Sequence, residues 1–168
     1  EAPTPTPTPT SSPGGIGGKV AYQDTPVSGI NLALRFYDGA SWSTADTTAT
    51  QADGSYEFSN VASLTSGQRY YVRFQNGDYG NTANPDYLAF WSSFHLTSYT
   101  AGTSAAGGDF DIANIPLVSP DPGVTESLPH TFQWTSRSAT TSDSYEFNLL
   151  DPADGDPAWQ TDPLRGYV

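Results

Sequence analysis

Asp151, Asp154 and Asp156 surround Gly155, with Pro152 and Pro157 on either side. Three carboxylates in a turn are hard oxygen donors of the kind that hold calcium. Their spacing is not that of an EF-hand loop, and Asp, Pro and Gly are equally the residues of an ordinary surface turn. His95 and His130 are the only histidines. They fall on separate apparent strands, without the carboxylate pattern of a metal centre, so each reads as structural or surface histidine. The sequence holds no Gly-x-Ser-x-Gly elbow and no glycine-rich phosphate loop. It holds no cysteine, hence no thiol nucleophile, thiolate site or disulfide framework. Carboxylates are numerous, and no pair stands out as an acid–base couple. The sequence therefore predicts a protein that is not an enzyme, with no catalytic residue, cofactor or resident metal.

Binding chemistry has more candidates. Stacking on a sugar ring needs exposed aromatic faces, and Trp42, Trp91, Trp159, Tyr79 and Tyr87 could supply them. The alternative is that these rings fill the core of a cysteine-free sandwich or a subunit interface. Residues 75–87 make the longest irregular stretch and carry Asp78, Tyr79, Asn81, Asn84, Asp86 and Tyr87. Loops of this length inside a compact domain are often functional. Asp78, Tyr79, Tyr87 and Trp159 are accordingly the expected contacts for a glycan or partner.

The N-terminus offers a third kind of contact. Prolines at 3, 5, 7 and 9 alternate with Thr4, Thr6, Thr8 and Thr10. In an extended strand the prolines would face one edge and the threonines, with their amide donors, the other. Such an arm could add to a neighbouring sheet along its threonine edge while its proline edge blocks further pairing. The competing reading is a semi-rigid polyproline spacer, O-glycosylated on its threonines.

These residues sit in a chain of strands and turns. Ile30, Leu32, Leu34 and Phe36 recur at period two, as do Tyr70, Val72 and Phe74, which predicts half-buried strands. Lys19–Tyr22 and Tyr56–Phe58 are shorter examples, and 41–50 suits a solvated strand. Asp53-Gly54 is a hairpin signal. No apolar 3.6-residue period persists, so the expected fold class is all-β: an immunoglobulin-like sandwich over 16–117, an extended arm over 1–15, and a partial second β module over 118–168. That last stretch has room for three or four strands where a sandwich needs about 100 residues. It would leave an open edge such as Tyr145–Leu150.

Eighteen acidic and six basic residues give a net charge of −12, which disfavours nucleic acid and anionic membrane as partners. No apolar run approaches a membrane span, so no direct insertion is expected. The chain starts at Glu1 without methionine, which fits a processed product or a piece of something longer. A Pro-Thr stalk joined to Ser/Thr/Gly-rich β sequence predicts secretion or the cell surface.

Gly18-Lys19-Val20-Ala21-Tyr22, Pro26-Val27-Ser28-Gly29-Ile30-Asn31-Leu32, Asp53-Gly54-Ser55-Tyr56-Glu57-Phe58 and Tyr70-Tyr71-Val72-Arg73-Phe74 together resemble a carboxypeptidase-regulatory-like or Cna B-type domain. The resemblance covers 16–117 and implies a transthyretin-like β-sandwich of bacterial surface stalks. Thr131-Phe132-Gln133-Trp134 and Ser144-Tyr145-Glu146-Phe147 resemble the start of a fibronectin type III-like module. Both families imply structural or adhesive roles without chemistry of their own. Some Cna B-type members carry a Lys–Asn isopeptide bond activated by a buried acid. The corresponding residues would be Lys19, Asn114 and Glu57, but alternation turns Lys19 and Glu57 outward, away from the apolar setting the bond needs. Two roles follow. The first is a structural subunit of an extracellular fibre or appendage, self-associating through β modules and the arm. The second is an adhesive or glycan-binding stalk module of a larger secreted protein.

Overall fold

The computed structural model describes residues 14–115, 117–121, 123–127 and 129–135, and the backbone of 144–145, 148–150, 157–160 and 164–165. Fifteen short strands and no helix occur among them. The chain divides into two compact units between Asn114 and Ile115.

The N-terminal unit is a two-sheet sandwich. In the first sheet β1 (Ile16–Tyr22) is the central strand. On one edge it pairs antiparallel with β2 (Thr25–Pro26) and β5 (Ser55–Phe58). On the other it pairs parallel with β8 (Ala105–Ala106) and β9 (Phe110–Asp111). The second sheet is antiparallel, in the order β4 (Trp42–Ala49), β3 (Asn31–Tyr37), β6 (Arg69–Gln75), β7 (Phe90–Ser92). Ile16, Val20, Tyr56, Phe58 and Phe110 from the first sheet meet Leu32, Leu34, Tyr70, Val72 and Phe74 from the second. Each such side chain, fully buried, contributes about 1.5–3 kcal/mol relative to exposure. The period-two pattern of β3, β5 and β6 is thus the pattern of one face packed and the other outward.

Glycine lets β1 sit between its neighbours. A Cβ on Gly18 would collide with the Gly108 carbonyl and come 2.9 Å from the Tyr56 hydroxyl; one on Gly17 would meet the Tyr56 carbonyl at 2.7 Å. The Tyr56 hydroxyl donates to that same Gly108 carbonyl at 2.7 Å. Burial, and then the negative charge of Asp109, hold the phenol well above its ordinary range, so it stays a donor.

Asp53-Gly54 does not close a hairpin. It turns the chain from β4 in the second sheet to β5 in the first, because β5 pairs with β1. The turn chemistry is nonetheless as expected. Gly54 has φ +75 and lies so near the Val20 carbonyl that a Cβ would come within 2.5 Å. Asp53 accepts from the Ser55 amide and hydroxyl, which hold its carboxyl below the usual range.

The described residues of the C-terminal unit form three separate two-stranded antiparallel ladders: β10 (Leu117–Ser119) with β11 (Gln133–Trp134), β12 (Ser144–Tyr145) with β15 (Leu164–Arg165), and β13 (Asn148–Leu150) with β14 (Pro157–Gln160). That is six short strands, where the sequence suggests three or four. The 145–150 edge expected to be open is divided between two of these ladders. The Ser119–Pro120 peptide is cis.

Gly18→Ala should lower the unfolding free energy by about 1–3 kcal/mol through overpacking against backbone that cannot withdraw. Urea denaturation checks it, and an unchanged midpoint would show that β1 is not held as closely as described.

Candidate functional site

Asp78, Tyr79 and Tyr87 lie in the segment joining β6 to β7, and that segment is built mainly as a clamp. The Asn81 side chain occupies the place of a strand partner for Asn31. Its Oδ1 accepts from the Asn31 amide at 2.8 Å and its Nδ2 donates to the Asn31 carbonyl at 2.9 Å. Asn76 and Asn84 tie the loop across itself by a side-chain donor at 2.6 Å and a side-chain acceptor at 2.9 Å. Tyr87 packs its ring on Tyr22 with centroids 5.4 Å apart and bridges Ala113 through its backbone, so its surface serves the fold. Asp78 turns its carboxylate on the Tyr79 amide at 2.7 Å, and Tyr79 takes the left-handed conformation at φ 55. Trp91 stacks flat on Phe110, centroids 3.8 Å and planes 5° apart, which commits one of its faces to the protein. The remaining expected contacts fall elsewhere. Thr4, Thr6, Thr8 and Thr10 lie outside the described residues, as do Asp151, Asp154 and Asp156. Trp159 belongs to β14 in the other unit, its side chain outside what is described.

The concentrated surface is the outer face of the second sheet. Its outward residues in register are Tyr37 beside Trp42 and Arg69, Arg35 beside Thr44 and Tyr71, and Arg73 beside Ser92, with Phe90 opposite Gln75. A β-bulge places Trp42 there. Leu34 pairs with Asp46 but Arg35 with Thr44, leaving Ala45 as an extra residue. Without it Ser43 would face Tyr37 and Trp42 would point to the core side. Bulges re-aim side chains in this way.

The rings form one connected set. Trp42 lies 5.0 Å from Tyr37, 4.8 Å edge-on from Tyr71 and 5.4 Å from His95. His95 is also 5.4 Å from Tyr71. The Arg69 guanidinium sits 4.6 Å over Tyr37 and 5.7 Å from Trp42, and that of Arg73 5.8 Å from Phe90. These are cation–π distances. Arg35 donates to the Thr44 hydroxyl at 2.7 Å. The Nε atoms of Arg35 and Arg73 are enclosed without a hydrogen-bond partner among the described residues. Trp42, Phe90 and Phe94 remain 38%, 53% and 75% exposed. Of this set the sequence reading names only Trp42 as a binding candidate, with His95 read as structural or surface histidine, because outward positions of a strand signal only solvent. The available signal is the alternation of Arg35 with Tyr37 and of Arg69, Tyr71 and Arg73.

Other chemistry is sparse. Lys19, Glu57 and Asn114 are all exposed, so the isopeptide trio has no buried acid to drive it. In the other unit Ser119 Oγ lies 3.2 Å from His130 Nε2, and the imidazole meets Phe132 edge-on at 5.5 Å. A nucleophile–base pair also needs a group orienting the second ring nitrogen, and none is present among the described residues. No cluster of three metal-ligating side chains occurs among them either, and no helix there is long and apolar enough to cross a membrane. No protein-family model matches the chain, and no curated protein matches it.

Burial, and then the Arg69 charge, hold the His95 imidazole below its ordinary pKa of 6.5. The folded protein thus binds fewer protons here than the unfolded chain. The associated stability is complete above about pH 6.5 and declines as pH falls below it. A proton-resonance titration should give a His95 midpoint under 6.5, raised by Arg69→Gln. A midpoint unmoved by that change would separate His95 from the arginine.

Proposed function

We propose that this chain is a non-catalytic adhesive module of an extracellular or cell-surface β protein, and that it binds glycan on the outer face of its four-stranded sheet. One observation carries the reading: exposed Trp42 grouped with Tyr37, Tyr71 and His95 on a rigid sheet. An exposed indole among tilted rings and polar neighbours suits the apolar face of a pyranose ring, and a sheet holds it in place without an ordering cost. The resemblance of 16–117 to carboxypeptidase-regulatory-like or Cna B-type domains supports the same role. So does the absence of a nucleophile or paired carboxylates from the sequence motifs. On a glycan array, Trp42→Ala should remove the signal and Tyr79→Ala should leave it. Loss on Tyr79→Ala with retention on Trp42→Ala would move the site to the 76–89 segment.

A second reading, a fibre subunit, has one structural observation in its favour. β4 is a sheet edge of eight residues, six of them exposed, with β3 on its only paired side among the described residues. Such an edge can receive an added strand. In an extended conformation Thr4, Thr6, Thr8 and Thr10 would offer the matching amide donors. Deleting residues 1–13 should abolish polymerisation seen by electron microscopy while the 16–117 domain stays folded. Polymers from the truncated chain would remove the arm from the mechanism.

A further inference from the structure

Resting on the glycan-platform reading, we infer that the ligand of this face is an acidic polysaccharide, a chain of uronate sugars. The argument begins with charge. Six basic residues serve the whole chain, and Arg35, Arg69 and Arg73 share this one face. None of the outward residues in register on β3, β4, β6 and β7 is acidic. Asp46 is paired with Leu34, on the core side of the edge, and its carboxylate accepts from the Thr47 amide. Asp38, in the turn joining β3 to β4, is turned on the Ala40 and Ser41 amides at 2.7 and 2.8 Å.

Among the described acidic residues of the unit, Asp24, Asp53, Glu57, Asp109 and Asp111 belong to the opposite sheet and its turns, while Asp38, Asp46, Asp78 and Asp86 lie on the edge strand and in the connections of the arginine sheet, off its outward face. Packed sheets are about 10 Å apart, while the screening length at physiological salt is about 8 Å. The carboxylates of that opposite sheet are therefore weakly felt at the arginine face. A polyanion approaching from that side meets three guanidiniums.

The guanidinium geometry selects carboxylate. The Nε atoms of Arg35 and Arg73 are enclosed, so a ligand meets the two terminal nitrogens of each guanidinium, a planar pair of donors that a carboxylate matches bidentately. Spacing selects a polymer. Arg69 and Arg73 lie four residues apart on β6, about 13 Å at ~3.3 Å per residue. One carboxylate cannot bridge them, so the charges must repeat along the ligand. Arg35, opposite Tyr71, falls between them on the neighbouring strand. The rings of Trp42, Tyr37 and Tyr71 then face the sugar rings between carboxylates.

A second copy presenting its acidic sheet is the rival occupant. Three of its five carboxylates are already engaged: Asp109 by the Lys19 amide, Asp111 by the amides of Asp24 and Ala113, Asp53 by Ser55. They offer a partner less than a free uronate does.

The test is calorimetry of the full chain with oligogalacturonate and with the same oligomer fully methyl-esterified. The acid form should bind, the ester at least tenfold more weakly. Affinity should fall with added salt and rise with oligomer length until the three arginines are spanned. Arg35→Gln with Arg73→Gln should weaken binding at least tenfold. Arg35→Lys with Arg73→Lys should recover only part of it, because the charge returns without the fork. A far-ultraviolet dichroism melt confirms that each variant is folded. Equal binding of acid and ester overturns uronate recognition and leaves the glycan platform standing. No binding of either overturns uronate recognition, and the Trp42-dependent signal on the glycan array then decides the platform by itself. Salt-sensitive self-association without oligosaccharide, lost in the double Gln variant, assigns the face to a second copy and also overturns the proposal.

Discussion

The pairing of β1 along both of its edges is the constraint on which the N-terminal unit depends. A strand paired on one side by β5 and β2 and on the other by β8 and β9 leaves no room for side chains that lean on neighbouring carbonyls. Gly17 and Gly18 satisfy that condition, and the Tyr56 hydroxyl ties the far partner back through the Gly108 carbonyl. Ile16 and Val20 then project from β1 into the space that Leu32, Leu34, Val72 and Phe74 fill from the other sheet. With one face of the second sheet committed to that core, its other face is released. What is displayed there follows from alternation, apart from Trp42, which the bulge at Ala45 turns outward.

On the outward face of the second sheet this division of labour leaves residues that are basic or neutral. The first sheet and its turns collect carboxylates that satisfy nearby amides, as Asp111 does for Asp24 and Ala113. The second sheet carries Arg69 and Arg73, whose guanidiniums lie near the Tyr37 and Phe90 rings, and Arg35, which donates to Thr44. Arginine is suited to that place because its weakly hydrated guanidinium stacks on aromatics and stays charged. Three cations on one face repel one another, and nothing in the core requires them. Their clustering in an acidic chain is what distinguishes this face from an ordinary solvated one.

Much of the all-β architecture was legible in the residues. The alternations of Leu32 with Leu34 and of Tyr70, Val72 and Phe74 identify core faces because burial on one side of a pleat enforces period two. Other features were not legible, for physical reasons. Asp53-Gly54 encodes a tight turn but not which strand follows in which sheet, since the turn is local and the partner of Ser55–Phe58 is β1. The parallel pairing of Ala105–Ala106 is carried by two small residues with no periodicity. Tyr87 looks like a sugar platform in sequence because exposure is decided by Tyr22, far away in the chain. The arginine–aromatic face escaped for the same reason. Tyr37, Trp42, Arg69 and Tyr71 become neighbours only through cross-strand register and one extra residue, and neither is written in any single segment.

The most direct test of the account follows individual nitrogen–hydrogen resonances while oligogalacturonate is added to the full chain. The account predicts that the Trp42 indole and the terminal guanidinium N–H signals of Arg35 and Arg73 shift together, with the Trp91 indole and the amides of 76–89 unmoved. Shifts confined to 76–89, or to the Trp91 indole, would contradict it and place binding away from the outer face of the four-stranded sheet.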